Sequence, residues 1–294
     1  MAQFLQTVVS GLALGSIYGS LALALVLIYK ATEVINFAQG EMAMFTTYIS
    51  WALITHHGMS YWPAFFVTLL IAFAGGIGLQ TVVVRPLARA SVLTVVMATI
   101  ALLVILNGAA AWIWSPQLQF YPSPFPTSSW VIGGVHISKQ DAGTFGVVAA
   151  CVVVLALFFR FTKLGLAMRA GALNPAAARL MGVRTSLLLA LGWGFAAVLG
   201  AVSGMMVAPT FFLTPNMMQA VLIYAFAAAV LGGLESPVGA VTGGVLLGVM
   251  LNLITQYVTF VTPDLQLPVA LGILLVVLLI RPSGLLGRAV VRRV

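Results

Sequence analysis

Charged residues are scarce in this chain: they make up 6% of its 294 residues, whereas hydrophobic residues make up 62%. Soluble domains have about a quarter of charged residues, so this composition excludes a water-soluble globular protein and predicts one that folds in lipid. Because about 20 apolar residues cross the hydrocarbon core of a bilayer, the length leaves room for roughly eight to ten crossings. Little chain remains for a soluble domain.

Residues that build enzymatic sites are also few. The single cysteine, Cys151, excludes disulfides and cysteine-based metal clusters. The three histidines lie in predicted external loops, at spacings that do not suit a metal site: His56, His57 and His136. No lysine follows a glycine, so the phosphate-binding loop that ends in Gly-Lys is absent. The sequence therefore predicts a chain that is not an enzyme and has neither an ATP site nor a cofactor of its own.

Nine apolar stretches are long enough to form helices that cross or enter the bilayer. They run over about 5–29, 35–54, 64–84, 92–114, 143–159, 187–209, 218–233, 239–260 and 267–280. The stretches at 218–233 and 267–280 are short for an unaided crossing, so either is expected to be tilted, partial or re-entrant. We predict an all-α integral membrane protein, a polytopic bundle of about eight or nine transmembrane helices in a single domain, 1–294.

The basic residues are distributed unevenly among the predicted loops. With nine spans, 12 of the 13 lysines and arginines fall on one side of the membrane and Lys139 alone falls on the other. Because basic residues near span ends stay in the cytoplasm, we expect the N-terminus outside and the C-terminus in the cytoplasm. The net charge of +8 does not indicate nucleic-acid binding, since the basic residues flank apolar spans and do not form a soluble, aromatic-rich face.

The longest predicted external loop, about 115–142, contains several prolines together with the aromatic residues Phe120, Tyr121 and Trp130. Aromatic rings prefer the membrane interface. We interpret the loop either as an ordered cap or docking surface at the outer interface or as a plain connector.

Small residues recur every four positions in three of the predicted helices. The repeats are Gly11, Gly15 and Gly19; Gly192, Ala196, Gly200 and Gly204; and Gly239, Gly243, Gly244 and Gly248. In lipid, small residues on one face let two helix backbones approach closely. The repeats predict a compact helical core, and they indicate no particular function because many membrane bundles contain them.

The second apolar stretch opens with an unusually polar run for a helix in lipid. At helical spacing, one face collects Asn36, Gln39, Ala43, Thr46, Thr47 and Ser50. Such a face should point to the bundle interior or to a water-filled path, because lipid would leave its polar groups unsatisfied. Glu41 falls nearly opposite, so either Gly40 interrupts the helix or Glu41 pairs separately with a neighbour.

We therefore predict that this segment belongs to a translocation pathway or gate. The residues assigned to it are Asn36, Gln39, Gly40, Glu41, Thr46 and Thr47. A broken helix beside a pathway is a known device of transporters. The alternative is a polar helix start at the cytoplasmic interface, near Lys30 and Glu33.

The largest predicted cytoplasmic loop, about 160–186, contains a short helix with a signal at each end. Asn174 suits the N-cap, Pro175 the first helical position and Gly182 the left-handed stop. A helix of about two turns is not stable alone in water, so it must pack on the membrane domain or on a partner. Apolar contacts would come from Leu180, Met181 and Val183. The alternative is an interfacial helix that rests on anionic membrane lipid.

Four motifs, in this order and spacing, resemble a known family. They are GLALGSIYG from Gly11, VINFAQGE from Val34, RAGALNPAAARLMGV from Arg169 and LGGLESPVGA from Leu231. Together they cover nearly the whole chain and resemble the LivH-type permeases of branched-chain amino acid ABC transporters. Glu235 departs from the pattern, because a glycine is expected in that turn, and this leaves the geometry of the turn open.

The resemblance implies a subunit of the bacterial inner membrane, and the distribution of basic residues then gives a periplasmic N-terminus and a cytoplasmic C-terminus. Such a subunit pairs with a homologous LivM-type permease, binds two cytoplasmic ATPase subunits and receives solute from a periplasmic binding protein. ATP and magnesium would bind to the partner subunits, and this chain would hold no cofactor. The solute would be a branched-chain amino acid or a related small amino-acid or amide solute, imported into the cytoplasm.

The resemblance also implies that the short cytoplasmic helix is a coupling helix that seats in a groove of an ATPase. The residues expected at this interface are Arg169, Asn174, Pro175, Ala177, Ala178, Leu180, Met181, Gly182 and Val183. The alternative function is an ion-coupled secondary transporter of a small solute. That class commonly has paired broken helices in two halves, whereas this sequence has one strong candidate and few intramembrane acids.

Overall fold

The computed structural model describes residues 1–88 and 90–287. This part of the chain forms eleven α-helices and one β-hairpin. The helices are α1 (Ala2–Thr32), α2 (Gln39–Thr55), α3 (Tyr61–Leu79), α4 (Val92–Trp114), α5 (Lys139–Phe161), α6 (Lys163–Leu173), α7 (Pro175–Leu180), α8 (Thr185–Phe211), α9 (Met217–Gly232), α10 (Pro237–Tyr257) and α11 (Gln266–Ile280). A π-helical turn (Gln80–Val84) and a 3-10 turn (Arg85–Leu87) extend α3.

A helix lies in each of the nine predicted apolar stretches, and the prediction of an all-α polytopic membrane protein is confirmed. Within the described residues, six helices are long and apolar enough to cross a membrane: α1, α3 with its extension, α4, α5, α8 and α10. The two stretches predicted to be short are the two shorter apolar helices, α9 and α11. The remaining predicted stretch, 35–54, contains α2, which has 17 residues.

The helices belong to two compact units. Unit 1 comprises Met1–Val26, Ser123–Ala149 and the described residues of Gln219–Val294. Unit 2 comprises Leu27–Pro122 and Ala150–Met218. Each unit has its own helix packing, and the prediction that the chain works as a single permease domain stays a prediction.

In unit 1, α1 and α10 pack backbone to backbone through their glycines. A Cβ atom added at Gly15 would lie 2.8 Å from both the Cα and the carbonyl oxygen of Val245. Gly11 and Gly19 meet α10 in the same way, one turn before and one turn after. This contact is the close packing that the glycine repeats predict, and it explains why larger side chains are absent from this face.

The turn between α9 and α10 needs one left-handed residue, and Gly233 supplies it with a φ of 106°. The Ser236 hydroxyl then caps α10 by accepting a hydrogen bond from the Gly239 N–H at 3.0 Å. Glu235 is exposed and its φ is not positive. The departure from the family pattern is therefore accommodated without backbone strain.

A two-stranded hairpin in unit 1 gives the predicted external loop regular structure. Strand β1 (Ser129–Ile132) pairs antiparallel with β2 (Val135–Ser138), and Gly133 and Gly134 form the turn with φ values of 57° and 81°. Positive φ at both turn residues suits the twist of a tight hairpin. The hairpin gives regular structure to residues 129–138, and the role of the loop 115–142 as a cap or docking surface stays a prediction.

In unit 2, α8 packs against both α2 and α3, and small residues allow each contact. A Cβ atom added at Gly194 would lie 2.8 Å from the ring of Phe73 on α3. Gly76 of α3 lies directly against the backbone of Trp193. The other face of α8 contacts α2, and this contact contains the residues assigned to the pathway.

Candidate translocation pathway and coupling surface

The helix that carries the predicted pathway residues starts after a short non-helical segment. α1 ends at Thr32, Glu33 adopts a φ of 57°, and α2 begins at Gln39. The interruption therefore precedes Gln39, whereas one interpretation of the sequence located it at Gly40, which lies inside the first turn of α2.

Asn36 lies before the helix, so its predicted position on a helical face is wrong. Its Oδ1 accepts a hydrogen bond from the Ala38 N–H at 3.1 Å, and its Nδ2 donates to Gln39 Oε1 at 3.3 Å. A short amide side chain that bonds to the backbone two residues ahead is typical of an Asx turn. Asn36 thus shapes the entry to α2 and is buried there.

The start of α2 lies beside the body of α4. The Phe37 N–H donates to the Thr99 hydroxyl at 3.4 Å, and further along the Tyr48 ring stacks on Trp114 with centroids 5.2 Å apart. Thr99 is seven residues from the start of α4, which corresponds to roughly 10 Å along its axis. α2 therefore begins well within the length of its neighbour and is not level with that neighbour's end.

The predicted polar face of α2 points into the bundle, at the contact with α8. Gln39 Nε2 donates a 2.8 Å hydrogen bond to the Ala196 carbonyl oxygen. Gly200 makes room for this amide, since a Cβ there would lie 2.9 Å from Gln39 Nε2. One turn later, Gly204 lies against the Thr47 hydroxyl. Close helix packing and a polar stripe thus occupy the same surface.

The threonine hydroxyls of this face bond within their own helix. Thr46 donates to the Met42 carbonyl at 2.9 Å, and Thr47 donates to the Ala43 carbonyl at 2.8 Å. Both threonines are buried. In this conformation the protein itself satisfies the polar groups of the stripe, and their assignment to a translocation pathway stays a prediction.

Glu41 lies apart from the stripe and is 2% exposed. Its Oε2 has no hydrogen-bond partner in the described part of the chain, and Asn107 on α4 is a polar neighbour of the carboxylate. Asn107 Nδ2 donates to the Pro215 carbonyl at 3.0 Å and to Asn216 Oδ1 at 3.1 Å. Gly40 does not interrupt the helix, and the separate pairing of Glu41 with a neighbour stays a prediction.

Aromatic residues tie the far end of α2 to the loop that follows α4. The hydroxyls of Ser50 and Tyr121 lie 2.8 Å apart, and Trp51 Nε1 donates to the Phe120 carbonyl at 3.1 Å. Gln119 and Leu213 exchange backbone hydrogen bonds of 2.9 and 3.0 Å. Burial raises the pKa of Tyr121 to about 12, so its phenol remains a neutral hydrogen-bonding group. Sequence analysis placed Tyr121 at an interface but had no signal for these partners.

The short helix predicted around Asn174 is present as α7 (Pro175–Leu180), and both of its predicted ends are confirmed. Asn174 Oδ1 accepts a hydrogen bond from the Ala177 N–H at 3.0 Å. Gly182 has a φ of 78°, and bonds of 3.0 Å join its N–H to the Arg179 carbonyl and the Val183 N–H to the Ala178 carbonyl. These two bonds make a complete Schellman motif.

α7 presents large apolar side chains to its surroundings. Leu180 is 90% exposed and Met181 is 83% exposed, whereas Ala178 is buried. The other residues expected at the interface are exposed or half-buried around them: Arg169, Asn174, Ala177 and Val183. Sequence analysis missed the preceding helix, α6, which begins where the Thr162 hydroxyl accepts a hydrogen bond from the Gly165 N–H at 2.9 Å. Its last residue, Leu173, adds a further exposed apolar side chain.

Comparison with known proteins gives one consistent result. Residues 7–278 match the family described as branched-chain amino acid transport system, permease component. The chain is 30% identical to the high-affinity branched-chain amino acid transport system permease protein LivH of Salmonella typhimurium, over 99% of this chain and 98% of that protein. It is 32% identical to BraD of Pseudomonas aeruginosa, a permease protein with the same description, over the same shares.

Two further similarities also cover most of the chain. A probable branched-chain amino acid transport permease protein of Methanocaldococcus jannaschii is 30% identical over 91% of this chain and 87% of that protein. A chain of PsaBC from Streptococcus pneumoniae, solved in complex with Fab, has a TM-score of 0.50 and 14% identity over 95% of this chain and 92% of that chain. The second similarity concerns the fold alone. The family match and the near-complete alignments mean that this multi-pass membrane protein belongs to the family of permease components of branched-chain amino acid transport systems.

Proposed function

We propose that this chain is a translocation subunit of an ATP-driven importer that moves branched-chain amino acids, or related small amino-acid or amide solutes, into the cytoplasm. The observation that carries the proposal is α7: a fully capped, two-turn helix with two large apolar side chains exposed at its end. The relatives named above are described as permeases of high-affinity branched-chain amino acid transport. Membership of that family supports the solute class.

α7 is suited to carry motion between this chain and an ATPase. Its caps fix a conformation that six residues would not hold alone. The side chains of Leu180 and Met181 are exposed and would contact water in the absence of a partner. Exposed apolar clusters of this kind mark contact surfaces. A groove in the partner that accepts both side chains would anchor the helix by apolar contact, as in other cases of helix-in-groove binding.

The complete transporter contains further subunits in this proposal. A homologous LivM-type permease completes the membrane part, two cytoplasmic ATPase subunits hold ATP and magnesium, and a periplasmic binding protein delivers the solute. This chain holds no cofactor. It lies in the inner membrane, surrounded by lipid, with its N-terminus in the periplasm and its C-terminus in the cytoplasm, as the distribution of basic residues supports.

The pathway runs along the start of α2. Its residues are Asn36, Gln39, Gly40, Glu41, Thr46 and Thr47. Because Gln39 and Thr47 lie in the contact between α2 and α8, this conformation is closed at that contact. Movement of α8 away from α2 would expose their polar groups to the solute.

The experiment is uptake of radiolabelled leucine into proteoliposomes that contain the whole complex. ATP is supplied in the compartment that the ATPase subunits face, and the binding protein is supplied on the opposite side. ATP is expected to drive accumulation of leucine, with no dependence on a sodium or proton gradient. A gradient that drives uptake without ATP would instead support an ion-coupled secondary transporter. The two driving forces are applied separately to the same vesicles, so each serves as the control for the other.

A further inference from the structure

We propose that Glu41, together with the side chains of Asn107 and Asn216, binds the ammonium group of an α-amino acid during transport. This inference rests on the proposed function, since it assigns a part of the solute to particular residues of the pathway. Three observations carry it: the burial of Glu41, its unpaired carboxylate oxygen and the two non-helical segments that lie beside it.

A buried carboxylate without a positive partner is an incomplete site. Glu41 is 2% exposed and its Oε2 has no hydrogen-bond partner among the described residues. Within 1–88 and 90–287 it is the one buried acid, and no lysine or arginine there is buried. Isolated charges are costly away from water, and in membrane helices they mark pathways for ions or solutes. Glu41 therefore needs either a proton or an external cation.

Glu41 lies in the first turn of α2, where the backbone N–H groups and the helix dipole offset part of the cost of burying a negative charge. A ligand with a positive charge then supplies the missing partner. An ammonium group has three donors and no acceptor, so it suits a site made of carboxylate and amide oxygens.

Two interruptions of helical structure meet beside this carboxylate, both within unit 2. α2 begins there after the break at Glu33, and Asn107 bonds to the segment between α8 and α9, at Pro215 and Asn216. Phe212, at the start of that segment, has a φ of 59°, which is unusual for a side chain of its size. Non-helical backbone within a membrane bundle is tolerated where it lines a cavity or pathway, and solute sites of transporters are commonly built there.

A neutral glutamic acid with a purely structural role is the competing explanation, and substitution distinguishes the two. Glutamine has nearly the shape of a protonated glutamic acid and the same hydrogen-bonding groups at similar positions. Glu41→Gln would therefore preserve the structural role of a protonated carboxyl group. It would abolish a site that needs a negative charge to bind a cation. Glu235→Gln is the matched control, because Glu235 is exposed in the turn before α10.

The test measures equilibrium binding of radiolabelled leucine to the purified permease and ATPase complex without the binding protein, and leucine uptake by the complete system. We expect Glu41→Gln to weaken leucine binding about tenfold or more, since it removes one partner of a buried charge pair, and Glu235→Gln to leave it unchanged. Leucinol, which keeps the ammonium group, should compete with leucine for the wild-type complex. 4-Methylpentanoate, which lacks it, should not.

Equal binding by wild type and Glu41→Gln, competition by 4-methylpentanoate, or no leucine binding by the wild-type complex would each overturn the inference. If Glu41→Gln does not assemble, the pair Glu41→Asp and Glu41→Asn makes the same comparison, because the two shorter side chains differ in charge and share their shape. ATP-driven leucine uptake by the wild type together with equal binding by the charged and neutral variants rejects the ammonium site alone. Absence of ATP-driven uptake by the wild type rejects the proposed function itself.

Discussion

Gln39 on α2 donates a 2.8 Å hydrogen bond to the backbone carbonyl of Ala196 on α8, 157 positions further along the chain. Ala196 belongs to a glycine repeat, and the missing side chain of Gly200 one turn later leaves the space that the amide fills. A polar side chain on one helix and small residues on another thus form a single contact. This contact joins the predicted pathway segment to the helix that follows α7.

Replacing Gln39 by Leu is expected to lower leucine uptake more than it lowers the amount of assembled complex. The variant loses the hydrogen bond to Ala196, which is worth about 1 kcal/mol, and it loses a polar group that the solute would meet. Uptake and complex yield are measured on the same membranes. Gln117→Leu is the control, because Gln117 is exposed. Unchanged uptake by Gln39→Leu would favour a purely interfacial role for the start of α2.

Alanine substitutions at two glycines are expected to have opposite effects on stability. At Gly15 the new Cβ would meet the backbone of Val245 at 2.8 Å, so Gly15→Ala should destabilise the protein by about 1–3 kcal/mol. At Gly78 nothing lies within 4 Å, so Gly78→Ala should stabilise α3 by up to about 1 kcal/mol through helix propensity. Thermal unfolding in detergent measures both. An equal decrease in stability in Gly15→Ala and Gly78→Ala would refute the packing role of Gly15.

Replacing Leu180 by Asp is expected to uncouple ATP hydrolysis from uptake or to release the ATPases. An unpaired charge in a desolvated groove costs several kcal/mol, and Leu180 is the most exposed large apolar side chain of α7. Insertion and pairing with the second permease should persist. Arg184→Ala changes an exposed charge on the same loop and should have a much smaller effect. A helix that merely rests on lipid would retain both ATPase binding and coupled transport in Leu180→Asp.

The orientation predicted from the basic residues sets the expected location of the C-terminus. A reporter fused after Arg293 should be active in the cytoplasm and inactive in the periplasm, because basic residues near span ends are retained on the cytoplasmic side. Arg293 lies outside the residues that the structure describes. Activity measured with a periplasmic reporter at the same position would reverse the assignment of every loop, including the one that contains α7.

Signals confined to a short stretch of sequence predicted structure closely. α4 begins and ends at the predicted residues 92 and 114, because an apolar run of the right length is itself the signal for a membrane helix. The ends of α7 follow from the intrinsic preferences of Asn174 and Gly182. In both cases the physical cause lies within a few residues.

Features that depend on distant partners were not predictable in this way. The glycine repeat in α8 predicted a close contact but not that α2 would make it, and Tyr121 meets Ser50 from 71 positions away. The entry to α2 was placed on a helix because periodicity alone carries no sign of the Asx turn at Asn36. α6 was missed for a related reason, since its 11 residues lack a continuous apolar run.

The pairing of α1 with α10 also imposes an order on biosynthesis. Asn252 Nδ2 donates to the Thr7 carbonyl across a separation of 245 positions, so the glycine face of the first helix cannot meet α10 until nearly the whole chain has been synthesised. At about 5–20 residues per second, the first helix would wait in the bilayer for more than ten seconds. During that interval its exposed glycine backbone is open to other membrane helices. A chaperone or insertase that shields this face would raise the yield of folded protein.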